Sequence, residues 1–297
     1  MLTIGISGYS GFVGKNLCDF LSKEGYTIKK INTRNSISNY SLNDCDIFIH
    51  LAGIAHDFKG IYNYNDYYAI NYELTQKLYD LFLQSNSKYF IFFSSIKAVS
   101  DKSDVIITEE TIPNPKTDYG KSKLLAEQYI INNPCPSNKK VFIIRPSMIH
   151  GKFNKGNLNI LYKFTKLRFP WPFGLFNNQR SFCSIDNVYF IISELITNSK
   201  IKSGVYNIAD TDSISTNELY NLICDSLNFK GVILNVPKTI INMSTNLATI
   251  LKLPFNNNKL QKITETLLVD NSKIINAMNK QLPVDIREGL KKTISTF

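Results

Sequence analysis

"LTIGISGYSGFVGKNLCDFLSKEG", residues 2–25, is the stretch on which the fold turns. LTIGIS is a short apolar run of strand type, and GKNLCDFLSKEG spaces its apolar residues as a helix does. Between them stand Gly8, Gly11 and Gly14. Glycines at a strand-to-helix turn let the backbone bend tightly and approach an anion held at the helix N-terminus. In that context G-x-x-G-x-x-G reads as a pyrophosphate-binding loop built from Gly8, Ser10, Gly11, Phe12, Val13 and Gly14. A glycine-rich turn with no ligand is the plain alternative.

Working outward, YTIKKI, DIFIHLA, YFIFFSS and KVFIIRP read as further strands of the fully buried, parallel type. Amphipathic stretches separate most of them, notably YELTQKLYDLFLQS and YGKSKLLAEQYIINN. Strand–helix alternation of this kind predicts an α/β protein with a doubly wound parallel sheet. After Pro146 the rhythm changes to a loop rich in Gly, Asn, Pro and aromatics. SFCSI, a helix near 186–198 and GVYNIA follow, then a capped helix in ISTNELYNLICDSL. The division expected is residues 1–150 as a dinucleotide-binding unit, rejoined by 182–208. Residues 151–181 and 209–297 then form a smaller, substrate-binding lobe.

At 297 residues the chain can bury one large core with a lobe on top. No apolar run reaches transmembrane length, and Met1 leads straight into a strand, which leaves no room for a cleavable signal. The five cysteines are scattered with no C-x-x-C, as expected for reduced cytoplasmic thiols and no metal site. The net charge is +10, yet the lysines are spread along the chain and no nucleic-acid motif is present. A basic surface attracting a small phosphorylated ligand is a sufficient reading. Only five arginines occur, so each is a candidate for planar anion contacts that lysine makes poorly.

YFIFFSS ends on Ser94 and Ser95, where a buried strand gains nothing from hydroxyls. Tyr119 and Lys123 follow as Y-x-x-x-K at the start of a helix, a spacing that puts both on one face. A free phenol has a pKa of about 10, and a neighbouring ammonium brings it toward a working range for proton transfer.

The loop, the strand-end serines and Y-x-x-x-K together resemble the short-chain dehydrogenase/reductase family. Nearly the whole chain is similar to its extended branch, the NAD-dependent epimerase/dehydratase family. His50-Leu51-Ala52-Gly53 resembles that family's turn beside the cofactor ribose, and Asn71 in "AINYELT" sits where the family has Asn. "IIRPSMIHGKFNKGNL" resembles the loop that opens the sugar-binding half, with Ser147, Asn157 and Leu158 at substrate-side positions. Arg180 in "QRSFCSIDNV" matches the family's arginine on the nucleotide pyrophosphate. The resemblance implies a Rossmann-type sheet with a smaller C-terminal lobe and a UDP-sugar substrate. It implies Ser95, Tyr119 and Lys123 as catalytic residues, with Ser94 the fallback for Ser95. Leu51, Ala52, Gly53, Asn71, Tyr119 and Lys123 would line the cofactor, and a homodimer would form through the Tyr-Lys helix.

Two departures stand out: His150 replaces the family's usual tyrosine, and Met148 stands where many relatives have Asn. Ile96-Lys97 also replaces the Asp-Glu pair that the family's dehydratases use for β-elimination, so dehydration is not expected. "SSIK" resembles proteins that reduce UDP-4-keto-6-deoxy-N-acetylhexosamine to UDP-N-acetylquinovosamine or UDP-N-acetylfucosamine. Lys97 would then face the substrate, or be a solvated loop lysine. Cofactor choice rests on "IKKINTRN", where no carboxylate is present for the ribose hydroxyls and Arg34 could grip a 2′-phosphate. That favours NADP(H), with NAD(H) the alternative. A UDP-glucose or UDP-N-acetylglucosamine 4-epimerase stays open as the second reading, and a non-catalytic dinucleotide-binding regulator as the third.

Overall fold

The computed structural model describes residues 1–34, 42–55, 61–154, 156–250 and 257–297, with side chains at all of these except 157, 247–250, 257–259 and 262. Its first half runs β1 (Thr3–Ser7), α1 (Phe12–Lys23), β2 (Thr27–Ile31), β3 (Ile47–His50) and α2 (Tyr64–Tyr67). It continues through α3 (Leu74–Gln84), β4 (Tyr89–Phe93), β5 (Ser103–Ile107), α4 (Asp118–Asn132) and β6 (Lys140–Pro146). The second half comprises β7 (Met148–His150), α5 (Asn157–Lys166), β8 (Arg180–Ser184), α6 (Ile185–Thr197), β9 (Gly204–Ile208), β10 (Ser213–Ile214) and α7 (Thr216–Ser226). It ends in α8 (Lys238–Ile250), α9 (Asn257–Thr264), β11 (Leu267–Val269), α10 (Ser272–Met278) and α11 (Ile286–Ile294).

Six strands form one parallel sheet in the order β2-β1-β3-β4-β6-β9. Alternate residues feed two cores, because successive side chains in a strand point to opposite faces. Ile4, Ile6, Ile47, Ile49, Ile91 and Phe142 pack under α1, α6 and α10. Phe48, Phe90, Phe92, Val141 and Ile143 pack under α3 and α4. Both faces are covered, which is what a parallel sheet requires. One expectation needs adjusting: β2 lies at the sheet edge, and of its five residues only Ile31 is buried.

The chain leaves β1 for β2 on one side and returns to β3 on the other. Order therefore reverses between β1 and β3, and open α/β sheets leave a crevice at the carboxyl ends of such strands. Gly8 follows β1 there, and Leu51–Gly53 follow β3.

A second sheet, in the order β10-β8-β11-β5 with β7 beside β8, was not legible as such. SFCSI, expected to rejoin the first sheet, is β8 of this second one. GVYNIA does pair with β6, as β9. The smaller lobe gathers a cluster around Trp171, Phe173, Tyr220 and Ile241, with Trp171 stacked on Tyr220 at 5.4 Å between ring centres.

Candidate active site

The glycine loop has little freedom. Gly8 sits at φ +68°, and a Cβ there would lie 2.6 Å from the Ala52 nitrogen. A Cβ on Gly14 would collide with the Gly8 carbonyl. The Gly11 amide donates to the Gly8 carbonyl at 3.0 Å, and Gly11 begins α1 without a side-chain cap and without an acid in the first turn. The first amides of α1 therefore keep their capacity for an anion.

A buried hydrogen-bond chain ties this loop to its neighbours. Ser7 Oγ accepts from the amides of Leu51 at 3.2 Å and Ala52 at 3.3 Å. It lies 2.7 Å from His50 Nδ1, and His50 Nε2 lies 3.0 Å from Thr75 Oγ1. Thr75 gives its own proton to the Asn71 carbonyl at 2.7 Å. Thr75 must then accept from His50 Nε2–H, which leaves Nδ1 to accept from Ser7. Burial holds this imidazole well below its ordinary pKa, with the Lys123 charge adding to the effect, so it is neutral at pH 7.

Asn71 lies in a π-helical turn, Tyr68–Glu73, that joins α2 to α3. Such turns break the regular ladder and often mark functional positions. The fully buried Asn71 amide clamps the Gly53 loop, accepting from the Ile54 amide at 2.8 Å and donating to its carbonyl at 3.1 Å. It also donates to Ser122 Oγ at 3.0 Å, and Ser122 donates to the Tyr119 carbonyl at 2.8 Å.

The two strand-end serines have separate partners. Ser94 donates to Glu127 in a short hydrogen bond, and Arg145 closes that pair with Nη2 at 2.6 Å from Glu127 Oε2. Ser94 is thus committed to a buried ion pair. Ser95 caps the short turn Ile96–Ala98 by accepting from the Lys97 amide at 3.2 Å, and its hydroxyl lies on the Tyr119 side of the strand end, where it influences the phenol. Burial pushes the Tyr119 pKa above its ordinary value, the Ser95 hydroxyl pulls it down, and the Tyr67 phenol raises it further. The Tyr67 ring stands 6.4 Å from the Tyr119 ring. Lys123 lies over the Phe92 ring at 4.7 Å and donates to the Phe93 carbonyl at 2.8 Å. Burial pushes its pKa down to about 8 against the pull of Glu127. A Cβ on Gly53 would stand 3.3 Å from Lys123 Nζ and 2.8 Å from Asn71 Oδ1, so this glycine keeps the space between them open.

Profile comparison finds the NAD dependent epimerase/dehydratase family over residues 4–209. The chain belongs to that family. UDP-glucose 4-epimerase of Vibrio cholerae is 28% identical over 98% of this chain and 94% of its own length. A UDP-2-acetamido-2,6-beta-L-arabino-hexul-4-ose reductase of Pseudomonas aeruginosa is 28% identical over 52% of this chain and 37% of its own. The crystal structure of UDP-N-acetylglucosamine 4-epimerase from Bacillus cereus superposes with a TM-score of 0.77 at 20% identity, over 99% of each chain. The residues present fit a nicotinamide dinucleotide: the glycine cradle admits no side chain, and α1 offers uncapped amides.

Arg34 is exposed in the turn after β2, its amide donating to Asn32. Lys97 Nζ is 3.8 Å from Asp101, whose carboxylate also accepts from the amides of Lys116 and Thr117 before α4. Half-buried Arg180 is pulled below its ordinary pKa by burial, with Glu265 opposing. Leu158 packs in the lobe's core, and the Asn157 side chain lies outside the described residues. Ser147 Oγ is buried without a protein partner among the described residues, a state that a ligand or water would relieve. His150 is fully buried against Asp210 and Thr293, facing α11. Ser7, Thr75, Ser122 and Tyr67 were not singled out from sequence. Their signal was weak: one hydroxyl before the glycine loop, and hydroxyls or rings four residues from Asn71 or beside Tyr119.

Proposed function

We propose that this enzyme reduces the 4-keto group of a UDP-4-keto-6-deoxy-N-acetylhexosamine, giving UDP-N-acetylquinovosamine or UDP-N-acetylfucosamine. The observation carrying the reading is Tyr119 and Lys123 one turn apart on α4, with Ser95 just past the end of β4 and Ile96-Lys97, not a carboxylate pair, directly after it. The bound dinucleotide supplies the hydride. Ser95 orients the ketone oxygen by a hydrogen bond, and Tyr119 gives that oxygen a proton. Burial keeps the phenol protonated at neutral pH, and this supports the reducing direction. Lys123 holds the nicotinamide ribose, Gly8–Gly14 and the start of α1 hold the pyrophosphate, and Asn71 fixes the Gly53 loop beside them. Arg34 binds a 2′-phosphate, which makes NADPH the preferred donor.

A 4-epimerase is the second reading, favoured by the 28% identity with the Vibrio cholerae epimerase along almost the whole chain. An epimerase returns its hydride to the same sugar, whereas a reductase consumes one cofactor per product. The test follows NADPH absorbance with the keto-sugar, and UDP-N-acetylglucosamine against UDP-N-acetylgalactosamine by chromatography. Stoichiometric NADPH loss is expected. Rapid interconversion without added cofactor, and no NADPH loss, would overturn the reductase reading in favour of the epimerase.

A further inference from the structure

The positive charge is sorted by segment. Residues 151–180 and 226–264 hold eleven Lys or Arg and no Asp or Glu, which leaves 23 cations to meet all 24 carboxylates elsewhere. The surplus behind the net charge of +10 therefore belongs to these two segments and is not spread evenly along the sequence. A general attraction for a small ligand in the crevice does not require such a distribution.

Large apolar side chains are exposed among these cations. On α5 and the residue that ends it, Ile160, Lys163 and Leu167 follow at helical spacing on the outward face, while Leu158 and Thr165 point inward. Leu167 is 64% exposed and Phe169 57%. The segment after α5 runs beside 232–235: the Trp171 amide donates to the Val232 carbonyl, and the Leu234 amide to the Trp171 carbonyl, both at 2.8 Å. Ile233 turns toward the core, so Val232 (53% exposed) and Leu234 (43%) face out. The Arg168 guanidinium lies 5.3 Å from the Phe229 ring, which joins the α5 end to this strand-like pair. Lys163, Lys166, Arg168 and Lys230 are all exposed around the apolar residues. Asp225 borders the patch at a groove shared with Lys230 and Ile233. Ile240 and Met243, three apart on α8, add two more exposed apolar groups to the same lobe.

We infer that this face of the smaller lobe docks on a bilayer containing anionic phospholipid. Apolar groups flanked by cations match the boundary between acyl chains and anionic headgroups, each cation adding attraction that fades within a Debye length. A nucleic-acid surface offers the charges but no place for Leu167, Phe169, Val232 and Leu234. Docking is peripheral, since no described helix is long and apolar enough to cross a membrane.

Flotation of the full chain with phosphatidylcholine vesicles, with and without phosphatidylglycerol, tests this. Binding to the anionic vesicles alone, weakening as salt is raised, is the expected result. The double variant Lys166→Glu/Arg168→Glu should lower the partition by about tenfold or more. Phe169→Ser/Val232→Ser should also lower it while keeping the salt dependence. Both pairs are exposed, so circular dichroism and turnover of soluble substrate should match the parent, and failure of the catalytic reading would leave this test intact. No binding to anionic vesicles at low salt would overturn the inference. So would binding that survives both double variants, retention on duplex DNA in place of vesicles, or loss of self-association as the variants' only effect.

Discussion

Tyr119 carries the clearest expectation of any single residue. Tyr119→Phe keeps ring and packing but removes the proton donor, so turnover should fall by about 10²–10⁴ with cofactor binding unchanged. Ser95→Ala should lose less, because it removes a hydrogen bond and leaves the proton in place. Wild-type turnover in Tyr119→Phe would remove the phenol from the chemistry. Lys123 sets the pH response. It is charged below about 8 and loses that charge as pH rises through this value, while Tyr119, raised by burial, keeps its proton. Hence kcat/KM should be level near neutrality and fall on the alkaline side of about 8. Lys123→Arg should shift that limb upward, because a guanidinium stays charged. A limb unmoved in Lys123→Arg would assign it to another group. Arg34→Ala should weaken NADPH by about ten- to a hundred-fold and leave NADH nearly unchanged. Equal losses measured for both cofactors would make Arg34 a structural residue.

At the scale of elements, the loops that need no side chain were the readable part. Gly8 and Gly14 could be placed because strand, glycines and helix are contiguous in sequence, and Tyr119 and Lys123 because four residues make one helical turn. The π turn holding Asn71 was not readable, since YYAINYELT has ordinary helical character and Asn71 is tied to groups distant in sequence, Ser122 and the loop at Ile54. His150 stands where the family's usual tyrosine would be, and the fold buries it, 2.9 Å from Thr293 of α11 and 3.3 Å from Asp210. Asp210 also accepts from the Ser184 amide at 2.8 Å and Asn187 at 2.7 Å, so it fastens β8 and α6 beneath α11. Asp210→Ala strands these buried donors and should cost about 3–5 kcal/mol, read as a lower denaturation midpoint in urea. An unchanged midpoint would show that α11 is held by its apolar face alone.

Across the whole molecule, what could be read divides by contact range. The parallel sheet announces itself through apolar runs alternating with amphipathic helices, each a local pattern. The second sheet collects strands of two to five residues from positions 103 to 269, and such short pieces carry too little periodicity to be told from loop. The charge sorting was hidden for a related reason. The two acid-free segments, 151–180 and 226–264, lie far apart in sequence, and their described cations meet only because 171–174 is laid along 232–235. Where the hydride ends separates a reductase from an epimerase. Reaction of the keto-sugar with NADPH deuterated at the transferred position, followed by mass spectrometry of the product, shows it. Deuterium retained on carbon 4 of a product sugar, with oxidised cofactor released in equal amount, is the expected result. Keto-sugar recovered unreduced, with no deuterium gained and no cofactor consumed, would contradict it.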